Sequence, residues 1–153
     1  GWINDFWVEF CATQQIGAAQ LSIAAPVEEG RPAEVRVDPT QLHQVMSNLC
    51  QNALTHGRRP DGAVTPVEIR YGRLASNGRP YVEVVDQGPG IAREDVERVF
   101  EPFFTRAPRG TGLGLFLARE LAASNGATLL HESPPGGGSL FRLVFSDPGR
   151  WEE

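Results

Sequence analysis

Apolar residues recur along the 153-residue chain with two different periods, and the changes of period mark out its elements. Trp2, Ile3, Phe6, Trp7 and Phe10 fall at helical spacing over residues 2–13, which predicts a short amphipathic helix whose aromatics belong to the core. Residues 19–24 and 33–37 alternate apolar and polar around Pro26, Gly30 and Pro32, and predict a strand pair with a loose connection. The best-marked helix follows: Asp38 as N-cap, Pro39 at the first helical position and Gly57 past the end bound residues 39–56. A rotation of about 100° per residue gathers Leu42, Val45, Met46, Leu49 and Ala53 into one apolar arc. Gln41, Gln44, Asn48, Asn52 and Thr55 form a polar stripe along one edge of that arc. Solvated helix faces favour Lys, Glu and Arg, so an uncharged hydrogen-bonding edge beside a core face predicts a rim overlooking a pocket.

Residues 66–73 and 80–86 alternate and are joined by a turn around Ser76–Gly78, which predicts an antiparallel pair. The second strand runs straight into Asp86-Gln-Gly88-Pro-Gly90. Residues 92–99 predict a short helix with Arg93, Glu94, Asp95, Glu97 and Arg98 in solvent, and the Gly/Arg/Pro stretch after Thr105, to Gly110, a flexible loop. From Gly112 to Asn125, the positions of Leu113, Phe116, Leu117 and Leu121 predict a second strong helix, stopped by Asn125-Gly126. Strands at 127–132 and 139–145 close the chain, with Phe141, Leu143 and Phe145 sharing one face beyond the Gly136–Gly138 turn.

Composition narrows the picture. The length suits one domain able to bury roughly 70% of its unfolded surface, so neither disulfides nor metals are forced by size. With 14 Lys+Arg against 19 Asp+Glu the net charge is −5, and no basic run interrupts it, which argues against nucleic acid or an anionic membrane as partner. No apolar stretch approaches the ~18 residues of a membrane-spanning helix, so a soluble chain is expected. Cys11 and Cys50 have neither a CxxC motif nor a histidine at ligand spacing, so no zinc site or disulfide framework follows. Residue 1 is Gly, and the one methionine, Met46, lies inside a predicted helix, so the chain is expected to be a piece of a longer protein. Glycine is abundant, with 17 residues beside 12 prolines, and its placement carries the chemistry.

Gly110-Thr-Gly-Leu-Gly-Leu115 opens a helix, where free N–H groups and the helix dipole favour phosphate. It lacks the Lys of a P-loop, and its third glycine comes one residue too early, after a loop, for a dinucleotide fingerprint. Asp86 ends a strand beside Gly88 and Gly90; a carboxylate only accepts, which suits the exocyclic amine of adenine. Asn52, one turn beyond Asn48, offers an amide oxygen of the kind Mg²⁺ takes alongside phosphates and waters. Singly, each also reads as ordinary structure: a tight loop, a turn, an Asn pair bonded to a neighbouring loop.

Their order along the chain resembles the catalytic ATP-binding domain of bacterial sensor histidine kinases, with the Bergerat fold shared by gyrase, the ninety-kilodalton heat-shock chaperones and mismatch-repair ATPases. The resemblance covers residues 2–146. It is nearest to the nitrogen-regulatory group in Gln44–Leu49, Phe100–Thr105 and Gly110–Leu115, and within it Leu117–Asn125 and Ser139–Arg142 look like the type IV pilus sensor kinases. It implies an α+β fold, a two-layer sandwich of a mixed, mostly antiparallel sheet with helices on one face. The domain is expected over residues 1–147, with 148–153 a tail.

Carried over by position, the resemblance implies that Asn52 coordinates Mg²⁺, Asn48 lies beside the triphosphate, and Asp86 reads adenine. It implies that Gly88 and Gly90 shape the base pocket, and that Gly110, Thr111, Gly112, Leu113, Gly114 and Leu115 close on the phosphates. It also implies that Phe104 belongs to the segment from Phe100 that anchors the ATP lid in such kinases, from which Arg106 or Arg109 is expected to reach the γ-phosphate. Two positions depart from the family. Thr55 stands where many members carry a phosphate-contacting Lys or Arg. Asn48 stands where ATP-hydrolysing relatives carry a Glu that activates water, so a very slow intrinsic ATPase is expected.

A histidine kinase also needs a phosphoacceptor histidine on a helical hairpin. His43 and His56 read as helix-surface residues, and His131 lies in a strand-turn context. The hairpin is therefore expected upstream, in a protein that is homodimeric through it, cytoplasmic in this part and membrane-anchored elsewhere, and that passes phosphate to a response regulator. The isolated piece is expected to be a monomer. A stand-alone serine kinase and anti-sigma factor, or an ATP sensor without transfer, are the alternatives.

Overall fold

Asp38 caps the helix that the sequence marks best: its carboxylate accepts from the Gln41 N–H at 3.0 Å, and the helix, α2, spans Pro39–His56. The computed structural model describes residues 2–17, 20–24, 37–56, 66–88, 90–91, 93–102, 104, 113–134 and 137–146. Helix α1 covers Trp2–Gln14 and α3 Gly114–Ser124. Strands β1 (Leu21–Ala24), β2 (Val67–Arg73), β3 (Pro80–Asp86), β4 (Thr128–Glu132) and β5 (Ser139–Val144) form one open sheet in the order β1-β2-β3-β5-β4.

Every ladder is antiparallel except β1 with β2, where Leu21 faces Val67 and Ala24 faces Arg70 in parallel. The first strand thus has β2 as a parallel neighbour, a partner the sequence pattern did not name, while its expected pairing with the segment at 33–37 falls mostly outside the described residues. Val37 itself is not in a strand, and residues 33–36 lie outside the described residues. The fold class stands as expected: a mostly antiparallel sheet with the helices packed on one face.

The core lies between that face and the helices. Val67, Ile69, Val82, Val84, Phe141, Leu143 and Leu129 point inward at every second position of their strands. Against them lie Leu42, Val45, Met46, Leu49 and Ala53, the apolar arc expected of α2. The α1 aromatics join the same core: Phe6 and Phe10 are buried, Trp2 stacks on Phe6, and the Trp7 indole donates to the Leu21 carbonyl at 2.9 Å. This last bond ties α1 to the short edge strand.

Helix α3 buries a different face from the one its leucines suggest. Ala118 and Ala122 are buried, Leu115 and Leu121 pack against the core, and Leu117 is 45% exposed. Small residues let α3 lie close to α2, and the larger side chains flank the contact. Gly126 ends the helix at φ +72°, a left-handed conformation that glycine adopts without strain. The expected helix at 92–99 is only a 3-10 turn, Arg93–Asp95, followed by turns, and Asp95 is buried rather than solvated.

On the outer face of the sheet Glu83, 5% exposed, pairs with Arg142 at 2.8 Å, and Arg142 reaches Glu132 at 3.0 Å. The two carboxylates hold the Arg142 guanidinium charged, raising its pKa against the cost of burial. Among the described residues no helix is long and apolar enough to cross a membrane.

Candidate functional site

The polar stripe of α2 faces the beginning of α3. Asn48 donates its side-chain amide to the Gly114 carbonyl at 3.1 Å and accepts from the Gln44 amide at 2.8 Å. The N-cap position of α3 is Leu113, whose own side chain makes no capping hydrogen bond to the first N–H groups of the helix. Asn48 thus sits at the positive end of a helix, fixed in orientation by two partners. Asn52 is half-buried one turn further along the stripe, and Thr55 is exposed with only a long contact, 3.5 Å, from Gln51. Gln41 departs from the expected pocket rim: its side chain bonds Asn125 at 2.7 Å, at the far end of α3.

Asp86 closes β3, 3% exposed, and its carboxylate accepts from the Gly88 N–H at 3.0 Å. Gly88 is half-buried, and Gly90 turns the chain at φ +81°. Two residues that sequence reasoning passed over complete this corner. Ser139, buried, stands opposite Asp86 in the β3–β5 ladder, so the two side chains share the helix-facing side. Gly138, at φ +89°, brings its Cα so close that a Cβ there would meet the Asp86 carbonyl oxygen at 2.1 Å. A Cβ on Gly90 would in turn meet the Gly138 carbonyl at 3.0 Å. Main chain is thus stacked on main chain directly beside the carboxylate. The only sequence signal was the glycine-rich turn itself, because a ladder partner 53 positions away leaves no local pattern.

The aromatic segment is anchored from two sides. Phe100 meets Phe141 edge-on at 5.9 Å, and the Arg119 guanidinium lies 5.2 Å from its ring centre. Arg98 lies over Phe104 at 4.6 Å and also faces Glu101. Arg106, Arg109, Gly110, Thr111 and Gly112 lie outside the described residues, as do Gly57 and the tail at 148–153.

Of the histidines, His43 bonds Ser47 at 3.4 Å and packs edge-on against Phe6. His131 lies on β4 against Phe141, its Nε2 buried without a hydrogen-bond partner. Burial lowers its pKa, with Glu132 partly opposing.

An open sheet under three helices, with an amide-bearing helix facing a glycine-led one and a buried carboxylate at a strand end, defines a class of nucleotide-binding domain. The chain belongs to the histidine kinase-, DNA gyrase B- and HSP90-like ATPase family, whose model matches residues 37–149. It is 42% identical over 115 residues to the sensor protein kinase PilS of Pseudomonas aeruginosa, spanning 75% of this chain and 22% of that protein. It is 37% identical over 119 residues to the sensor histidine kinase ZraS of Klebsiella oxytoca, spanning 78% of this chain and 25% of that one. The chain therefore covers a quarter or less of the length of these relatives. Among solved structures, the catalytic domain of the histidine kinase ThkA superposes with a TM-score of 0.75 at 26% identity, over 95% of this chain and 90% of that one.

Proposed function

We propose that this domain binds ATP with Mg²⁺ between the polar stripe of α2 and the start of α3, and presents the γ-phosphoryl group to a histidine on a helical hairpin. The observation that carries this reading is the Asn48–Gly114 hydrogen bond, which joins an uncharged amide stripe to the phosphate-favouring end of a helix. Family membership and the similarity to sensor kinases over three quarters of the chain support it.

Asp86 reads the base. Its carboxylate is oriented by the Gly88 N–H and lies beside main chain held apart by no side chains, which suits a flat ring with an exocyclic amine. Ser139, opposite it, offers a hydroxyl that both donates and accepts at the same corner.

Mg²⁺ fits the donor set. Among the described residues no group of three or more His, Cys, Asp or Glu side chains is gathered for a metal, which matches an ion held mainly by phosphates and water. Asn52, on the same stripe, would be the protein's oxygen ligand, as the family resemblance implies, while the Asn48 oxygen accepts from Gln44. When bound, the ion neutralises charge on the phosphates. The protein's own share is positioning: the α3 N–H groups and the Asn48 amide orient the chain of phosphates, and Arg106 or Arg109 adds charge from the lid segment. An amide at position 48 accepts no proton at neutral pH, so water is not activated and intrinsic turnover stays far below the ~1 s⁻¹ of active kinases.

The same reading makes the parent protein a homodimeric, membrane-anchored sensor kinase of the pilus-regulating type. This domain is its cytoplasmic catalytic part, residues 1–147, a response regulator receives the phosphate, and the isolated domain is a monomer. Calorimetric titration of Mg·ATP into wild type, Asp86→Asn and Asn52→Ala tests the pocket. Wild type should bind, Asp86→Asn should lose adenine nucleotides, and Asn52→Ala should lose mainly the Mg²⁺ dependence. Adding an acceptor hairpin from a similar kinase should give acid-labile phosphohistidine. Acid-stable phosphoserine, or no transfer to any hairpin despite binding, would replace the kinase reading with the serine-kinase or sensor alternative.

A further inference from the structure

Asn125 ends α3, yet its side chain reaches beyond its own helix. The Nδ2 group donates to the Leu121 carbonyl at 2.8 Å and to the Gln41 side-chain oxygen at 2.7 Å, while Oδ1 accepts from the Asp38 N–H at 2.8 Å. Three of the amide's four hydrogen-bonding positions are thereby used, one on α2 and one on its N-cap. Asp38 in turn holds the Gln41 N–H at 3.0 Å. Asp38, Gln41 and Asn125 therefore form a closed circuit, in which each residue is bonded to the other two.

This circuit and the Asn48–Gly114 bond clamp the same two helices at opposite ends. Gln41 and Asn48 are two turns apart on α2 and lie within about 20° of each other around its axis, and Asn52 falls within about 20° on the other side. Gln41 meets the last residue of the α3 helix region and Asn48 meets the first, so the helices run antiparallel with rotation and axial offset both fixed. Between the clamps, the buried alanines Ala118 and Ala122 lie on the same side of α3 as Gly114 and Asn125, at about 100° of rotation per residue. Smooth alanine faces hold register weakly, because they offer no large knob to lock into a neighbouring hole. The polar ends supply what the alanines lack.

We propose that Asn125 is a positioning residue for the nucleotide site: through Gln41 and Asp38 it sets the register of α2 on α3, and so the placement of Asn48 and Asn52 against the α3 N-terminus. It touches no phosphate itself. The link to nucleotide rests on the functional reading above, whereas the register claim stands on the hydrogen bonds alone, and the test separates the two.

Amide hydrogen exchange of the nucleotide-free domain is compared for wild type, Asn125→Ala and Ser146→Ala. Ser146 donates to the Gly126 carbonyl at 2.7 Å, so its removal loosens the same turn without touching α2. Relative to Ser146→Ala, Asn125→Ala should speed exchange about tenfold at Leu117, whose N–H bonds Leu113 in the first turn of α3, about 12 Å along the helix from the mutation. A residue that merely caps α3 would speed exchange only at 125–127, and that pattern overturns the proposal. In calorimetry, Asn125→Ala should raise the Kd of Mg·ATP about tenfold and leave that of adenosine, read at Asp86, within about twofold. Equal losses for both ligands, or none, also overturn it. Wild type binding neither ligand would sink the functional reading while the exchange pattern still decides the register claim. If Asn125→Ala does not fold, Gln41→Ala leaves the α3 cap in place and should show the same two effects more weakly; its absence from both readouts overturns the proposal.

Discussion

Asn48 donates to the Gly114 carbonyl at 3.1 Å, and its oxygen accepts from Gln44 at 2.8 Å, so both ends of one amide are committed. The geometry requires a donor on one side and an acceptor on the other, which asparagine supplies and aspartate does not. Asn48→Asp sets a carboxylate oxygen against a carbonyl oxygen. It should destabilise the domain by about 2 kcal/mol, against about 1 kcal/mol for Asn48→Ala, which removes the bond without creating a repulsion. Urea denaturation measures both, and an aspartate variant as stable as the alanine one would contradict this account.

Arg142 is the partner that makes Glu83 tolerable at 5% exposure. Arg70 lies 3.9 Å from the same carboxylate and is a weaker substitute. Arg142→Met should therefore cost about 3 kcal/mol, because it strands a buried charge, and Glu83→Gln on that background should recover part of the loss by removing the charge. If the double variant is no more stable than Arg142→Met alone, the pair contributes through packing and not through charge.

His131 gives the fold a pH dependence whose sign follows from burial. Its pKa is lowered in the folded state, mainly by desolvation and despite Glu132, so the unfolded chain takes up the proton more readily. The stability it contributes is complete above the ordinary histidine pKa near 6.5 and declines as pH falls below it. His131→Phe keeps the packing on Phe141 and should flatten the change in Tm between pH 7.5 and pH 5.5. An unchanged slope in that variant would assign the dependence to other groups.

The sequence made helix α2 legible to the residue because its signals are local: a cap, a proline and an apolar arc lie within one segment. The β2–β3 hairpin was legible for the same reason. What escaped was set by distance along the chain. The parallel partner of β1 depends on a strand about 45 positions away, and a four-residue run offers too little pattern to name it. Leu117 seemed a core residue because leucine is apolar, but close approach of α3 to α2 favours alanines and turns the leucine outward. Asp95 seemed solvated because it is charged, yet the expected helix is a tight turn that folds it inward. The positions proposed for nucleotide showed the same split. Asn48 was found from its stripe, whereas Gly138, Ser139 and Asn125 matter through ladders and bonds that join distant segments.

Gly137 and Gly138 allow the corner proposed for the base to be tested apart from backbone strain. Both adopt a left-handed conformation, at φ +103° and +89°, so alanine at either should cost about 1 kcal/mol or more in stability. They differ in what a methyl group would meet. At position 137 nothing lies within 4 Å, whereas at position 138 the Asp86 carbonyl oxygen lies at 2.1 Å and Gln87 Cα at 3.2 Å. Those atoms are main chain and cannot swing aside, so Gly138→Ala must push the end of β3, and with it the Asp86 carboxylate, away from its place opposite Ser139. Gly138→Ala should therefore weaken adenosine binding at least about tenfold beyond any effect of Gly137→Ala, with both variants measured well below their melting temperatures. Equal affinities in the two variants would mean that the corner proposed to read adenine does not depend on this contact, and that Asp86 is held by its Gly88 hydrogen bond instead.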